Sequence, residues 1–97
     1  MADFIISEKA RNDLLGIGNY TREKWSEEQA ERYVRMLLSE CVVLADNPGK
    51  GHSYEEYRPG LMGATCGKHV IFYRIISSQR IRIVRFLHER MDFTRHL

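Results

Sequence analysis

The sequence predicts an α+β fold: a small twisted antiparallel β-sheet packed against an N-terminal α-helical hairpin, in the order β-α-α-β-β-β. Three observations predict it. Between Lys68 and Asp92 lie two apolar runs, His69 to Ile76 and Ile81 to Leu87, joined by Ser77-Ser78-Gln79-Arg80. Val, Ile, Phe and Tyr fill both runs, neither holds Pro or Gly, and so polar a joint reads as a hairpin turn. Before residue 47 the apolar residues recur instead at steps of three and four, the helical period. Ahead of them stands one short apolar run, Phe4-Ile5-Ile6, read as an opening strand from Asp3 to Ser7.

The first helix runs from about Glu8 to Lys24. Ala10, Leu14, Ile17 and Thr21 form its stripe, and Gly16 and Gly18 weaken it by ~1 kcal/mol each while permitting close approach. Ser26-Glu27-Glu28-Gln29 then fits a capping box, with Trp25 and Ala30 where a hydrophobic staple would stand. Both acids also suit the positive end of the helix dipole. Ala30, Tyr33, Val34, Leu37, Leu38, Cys41, Leu44 and Ala45 give the second helix one apolar face, which Asn47-Pro48-Gly49 ends. Few residues separate the two helices, so they pack antiparallel. From Gly49 to Pro59 the chain reads as loop, with Tyr54-Glu55-Glu56-Tyr57 a solvated cluster. Leu61 to Cys66 is a third-strand candidate with an open edge, and Met91 to Leu97 a tail or short helix.

Side chains alternate across a strand. Ile81, Ile83, Arg85 and Leu87 should therefore share one face, and Arg82, Val84, Phe86 and His88 the other. Each face mixes apolar and basic groups, so both are partly covered, with the basic groups emerging at a rim.

Ninety-seven residues are expected to form a single domain, 1–97. The net charge of +2 is too small to argue nucleic-acid binding by itself. Its distribution says more. From Lys68 to His96 six Arg and one Lys face only Glu89 and Asp92. Two cysteines make no disulfide framework, and Cys41 sits on an apolar helix face as a small core side chain. No segment reaches the length of a membrane span and no signal-peptide layout opens the chain, so a cytoplasmic protein without membrane contact is expected. Cys66 and His69 are spaced as half a metal site, and no second pair completes it. Phosphate-loop and serine-nucleophile patterns are missing too, and no cofactor is expected.

The phrases YTREKWSEEQAERY, LADNPGKG, RPGL, GKHVIFYR and IRIVRFLHERMD, in that order, resemble the ParE toxins of bacterial type II toxin–antitoxin modules, within the RelE/ParE superfamily. The resemblance spans Ile6 to Asp92. It implies the same sheet-and-hairpin fold and a hetero-oligomer with a cognate ParD-like antitoxin of ribbon-helix-helix type. It also implies DNA gyrase as target, with DNA met only indirectly, through antitoxin or gyrase. One departure stands out: Met62-Gly63-Ala64 follows the RPGL phrase, where many ParE-like chains carry a basic or aromatic residue.

RelE relatives cut mRNA on the ribosome, and that chemistry needs a base, an acid and cations around one phosphate. His88, after the stacking-competent Phe86, is the best-placed acid or base. The loop from Gly49 to Pro59 holds one Lys and two Glu, which argues against a nuclease. A binding toxin without catalysis of its own is therefore expected, with Arg58, His69, Arg74, Arg82, Arg85, His88 and Met91 meeting the target. Plainer roles compete: His69 as a hydrogen-bonded edge residue, His88 paired with Asp92, and Arg74 paired with Asp13.

Overall fold

The computed structural model describes residues 2–97. Its elements are β1 (Asp3–Ile6), α1 (Glu8–Lys24), α2 (Glu27–Asp46), a 3-10 turn (Pro48–Lys50), β2 (His52–Ser53), β3 (Met62–Cys66), β4 (His69–Ser77), β5 (Arg80–His88) and α3 (Phe93–His96). Both long helices fall where the apolar spacing puts them. Ser7 starts α1, its Oγ accepting from the Ala10 N–H at 3.0 Å while donating to the Val84 carbonyl at 2.9 Å. Ser26 caps α2 by accepting from the Gln29 N–H at 3.0 Å. The staple does not form, because Trp25 is 72% exposed.

The five strands lie in the order β1-β5-β4-β3-β2. The sheet is not wholly antiparallel: β1 runs parallel to β5, with Phe4 opposite Ile81 and Ile6 opposite Ile83. The cause is connectivity. The helical hairpin carries the chain away from β1, and the last strand returns beside it. At that seam Arg80 bonds both oxygens of Asp3, at 2.8 and 2.9 Å. At the opposite edge β2 pairs only with Met62 and Gly63. The open edge expected on β3 is thereby narrowed to Ala64–Cys66.

A β-bulge reorders β5. Tyr73 faces Ile83 while Phe72 faces Arg85, so Val84 is an extra residue and the alternation shifts after it. Phe86 therefore joins Ile81 and Ile83 on the helix side, packing with Ala10, Leu37, Cys41, Leu44, Ile71 and Tyr73. Leu87 packs on the other face with Val84. The expected grouping of Phe86 with Arg82, and of Leu87 with Ile81, is corrected by this single inserted residue. Burial in the main core pushes the Cys41 thiol up to about 12, so it stays a protonated packing group.

The second face of the sheet carries a smaller aromatic core. Tyr54 and Phe93 both meet Phe72 edge-on at 5.0 Å between ring centres, and Leu61, Val70 and Leu87 complete the cluster. The cluster Tyr54-Glu55-Glu56-Tyr57 is thus only half solvated: its two rings pack and its two carboxylates stay exposed. Leu97 also packs there, so α3 and the 54–61 loop cover one end of this face. The other end stays open.

Candidate functional site

Seven residues were singled out by the sequence, and the fold distributes six of them over two surfaces. Along β4, Ile71 and Tyr73 pack toward the helices while Val70 and Phe72 pack away from them. Arg74, next in the alternation, therefore lies on the face away from the helices. Arg82 is its direct cross-strand partner. A Cβ placed on Gly60 would stand 3.8 Å from Arg74 Nη1, so the turn carrying Arg58 lies against the same place. Among the described residues none of Arg58, Arg74 and Arg82 makes an ion pair. Like charges directly opposite on neighbouring strands oppose folding. Here they form a cationic patch without an ion pair beside the aromatic cluster, with the Glu55 carboxylate on the same turn, accepting from the Gly60 N–H at 2.7 Å.

Arg85 belongs to neither surface. Its Nε and Nη2 donate to the two Asp13 oxygens at 2.7 and 2.9 Å, and its Nη1 donates to the His96 carbonyl at 2.6 Å. Both side chains of the pair are only 16% exposed. Asp13 also accepts from the Phe86 N–H at 3.1 Å, satisfying a backbone donor beside the bulge. Asp13 holds the Arg85 guanidinium above its ordinary pKa. The expected target contact by Arg85 is corrected: it clamps α1, β5 and α3 together. The carboxylate partner anticipated for Arg74 serves Arg85 instead.

His69, His88 and Met91 converge on a cleft of about 610 Å³ on the helix side of the sheet. The two histidines are cross-strand partners with ring centres 5.2 Å apart, edge to face. The bulge puts His88 there, by shifting it to the face of Phe86. Tyr33, from α2, reaches the site across the end of the sheet. Its hydroxyl accepts from the Lys68 N–H at 2.9 Å and shares a hydrogen bond of 2.6 Å with His69 Nδ1. His88 Nδ1 accepts from the Arg90 N–H at 3.1 Å, and no bond to Asp92 forms. The neutral His88 imidazole thus carries its proton on Nε2. Burial, then the adjacent His88, lower the His69 pKa, and burial raises that of Tyr33.

Gly67 makes this approach possible. Its φ is +61°, as the first residue of a two-residue β-turn requires, and a Cβ there would stand 2.8 Å from the Tyr33 hydroxyl. The remaining wall is aromatic and exposed. Tyr20 and Trp25 line the cleft at 62% and 72% exposure, and the Lys24 ammonium sits 5.9 Å from the Tyr20 ring centre.

Three of these wall residues escaped the sequence reading. Tyr33 lies on the apolar stripe of α2 and reads as core, and Trp25 stands in the staple position. Tyr20 sits between two stripes. The available signal was a hydroxyl-bearing ring on a core stripe with a glycine turn later in the chain, and nothing local links the two.

The family model described as "ParE toxin of type II toxin-antitoxin system, parDE" matches residues 4–93. The chain is 36% identical to Toxin ParE1 of Caulobacter vibrioides over 97 residues, covering 100% of this chain and 99% of that protein. Among solved structures it superposes on a chain of the chromosomal ParDE TA system from P. aeruginosa with a TM-score of 0.77 at 20% identity, covering 91% of this chain and 96% of that one. A chain of the toxin–antitoxin complex RelBE2 from Mycobacterium tuberculosis matches with a TM-score of 0.70 at 19% identity, covering 91% and 98%. At such identities the two structures bear on the fold alone.

Proposed function

The chain belongs to the ParE toxin family of type II toxin–antitoxin systems, and from that premise we propose that it inhibits DNA gyrase by binding, in the cytoplasm, and is neutralised by a ParD-like ribbon-helix-helix antitoxin in a hetero-oligomer. The observation that carries the target reading is the patch of Arg58, Arg74 and Arg82. Three guanidinium groups without an ion pair among the described residues, on β4, β5 and the adjoining turn, suit the acidic surface of a large partner. Such contacts act on encounter rate and docking register more than on affinity. The antitoxin takes other ground, the apolar groove between α1 and α2 lined by Leu14, Leu15, Val34 and Leu38, as an amphipathic helix would, and the Ala64–Cys66 edge, as an added strand would.

A ribosome-dependent mRNA interferase is the second reading, favoured by the pairing of His69 with His88 in one cleft. One hydrogen bond weighs against it. His88 Nδ1 already accepts from the Arg90 N–H and its Nε2 holds the proton, so this ring is not set to take a proton from a ribose hydroxyl.

Purified toxin added separately to a gyrase supercoiling assay and to a translation extract decides between them. The binding reading expects supercoiling to stop while transcripts stay whole. Cut transcripts with unimpaired supercoiling would overturn it.

A further inference from the structure

The arginine patch leaves the helix-side cleft without a role, and the cleft is built for a ligand of a definite kind. It offers hydrogen-bond donors. His88 holds a proton on Nε2 and the His69 ring stands 5.2 Å from it; among the described residues neither Nε2 has a protein partner, and neither is shut away from solvent. The Lys68 side chain lies at the rim and the Lys24 ammonium stands over Tyr20. The one carboxylate in the wall, Asp13, is already taken by Arg85 and the Phe86 N–H. Two ammonium groups against Glu89, which acts on His69 and Tyr33 from beside the cleft, leave it cationic, and what it complements is anionic oxygen.

It also offers flat apolar surface. Trp25 and Tyr20 present exposed rings, Tyr20 with the Lys24 ammonium over one face. Aromatic faces beside cationic groups are the recurring platform for single-stranded nucleic acid, because every base has a π-face to stack. About 610 Å³ is the size of a small-molecule site, room for a nucleotide and too small for a duplex. An acidic peptide would meet the donors but leave the rings bare. A metal ion is disfavoured, since among the described residues no group of three or more His, Cys, Asp or Glu side chains stands where it could hold one.

We propose that this cleft binds one nucleotide of a single-stranded nucleic acid, its base stacked on Trp25 and Tyr20 and its phosphate accepting from His88 Nε2–H and Lys68, with His69 beside them. This goes beyond the indirect DNA contact expected from the sequence. It also stands independently of the gyrase reading, which rests on the opposite face of the sheet.

Trp25 is the only tryptophan in the chain, so its fluorescence reports on this site alone. Titrating the purified full chain with oligo(dT) and oligo(U) octamers should quench Trp25, with an affinity that falls as salt rises. An octaglutamate peptide of similar charge should not. In a parallel measurement by anisotropy of an end-labelled octamer, Trp25→Ala should weaken binding about 5- to 150-fold, the range stacking on one aromatic ring supplies. The pair His69→Gln with His88→Gln should weaken it at least about tenfold, the scale of a charge-assisted hydrogen bond. Trp25 is exposed enough that its variant keeps the fold, so that arm stands even if the histidine variant unfolds. Absence of quenching by either octamer, equal quenching by octaglutamate, or unchanged octamer binding by Trp25→Ala would each overturn the proposal.

Discussion

His69 meets three neighbours that all act on its proton. The Tyr33 hydroxyl shares a hydrogen bond with Nδ1, the His88 ring stands edge to face against it, and the surrounding chain partly shields it from water. Burial, then His88, lower its pKa from the ordinary 6.5, and the pull of Glu89 and Asp13 in the other direction is outweighed. The folded chain therefore takes up this proton less readily than the unfolded chain does. Between the folded value and 6.5 the unfolded state binds more protons, so stability falls as pH drops through that window. We expect the urea midpoint to fall between about pH 7 and about pH 5.5, with a smaller fall in His69→Gln. Equal slopes in the two proteins would contradict the role given to burial. The sequence marked His69 and His88 separately as candidate residues, and their meeting was hidden by one residue. Strict alternation sends His88 to the face of Arg82, and only the bulge at Val84 returns it to the helix side.

That bulge belongs to the scale of elements. A sheet residue without a counterpart leaves backbone groups to be satisfied elsewhere. Two side chains from the N-terminal region supply the partners: Ser7 donates to the Val84 carbonyl, and Asp13 accepts from the Phe86 N–H while gripping Arg85. Helix α1 is thereby fastened to β5 at the point where the strand is irregular. Replacing Asp13 with Asn leaves the Arg85 guanidinium largely buried without its counter-charge, which should cost about 2–4 kcal/mol. Denaturant unfolding measures this directly, and a loss below about 0.5 kcal/mol, the scale of an exposed pair, would show the clamp to be incidental. The helices themselves were legible because apolar spacing and the Ser26 cap are local signals. The pairing of β1 with β5 was not, since it joins residues 77 apart and depends on how the helical hairpin returns the chain. Tyr54 and Tyr57 misled for a similar reason: amid Glu and Gly they read as solvated, and their partners Phe72 and Phe93 lie far along the chain.

At the scale of the whole molecule the sheet divides two surfaces. On the side away from the helices lie Arg58, Arg74 and Arg82, beside a small aromatic core. On the helix side lies the donor-rich cleft of His69, His88 and Trp25. A single patch of basic groups was the expectation from the sequence, and the helical layer is what splits it, by claiming one face of β4 and β5 for the main core. The gyrase reading rests on the arginine side. Unpaired like charges opposite one another work against folding, so their persistence on an open face points to a partner that compensates them. The most direct test is gyrase inhibition by Arg74→Glu with Arg82→Glu, beside the parent chain and at matched folded concentration. The account predicts that the dose for half-inhibition of supercoiling rises at least about tenfold, the effect of turning docking contacts into repulsion. Inhibition as strong as that of the parent chain would contradict it.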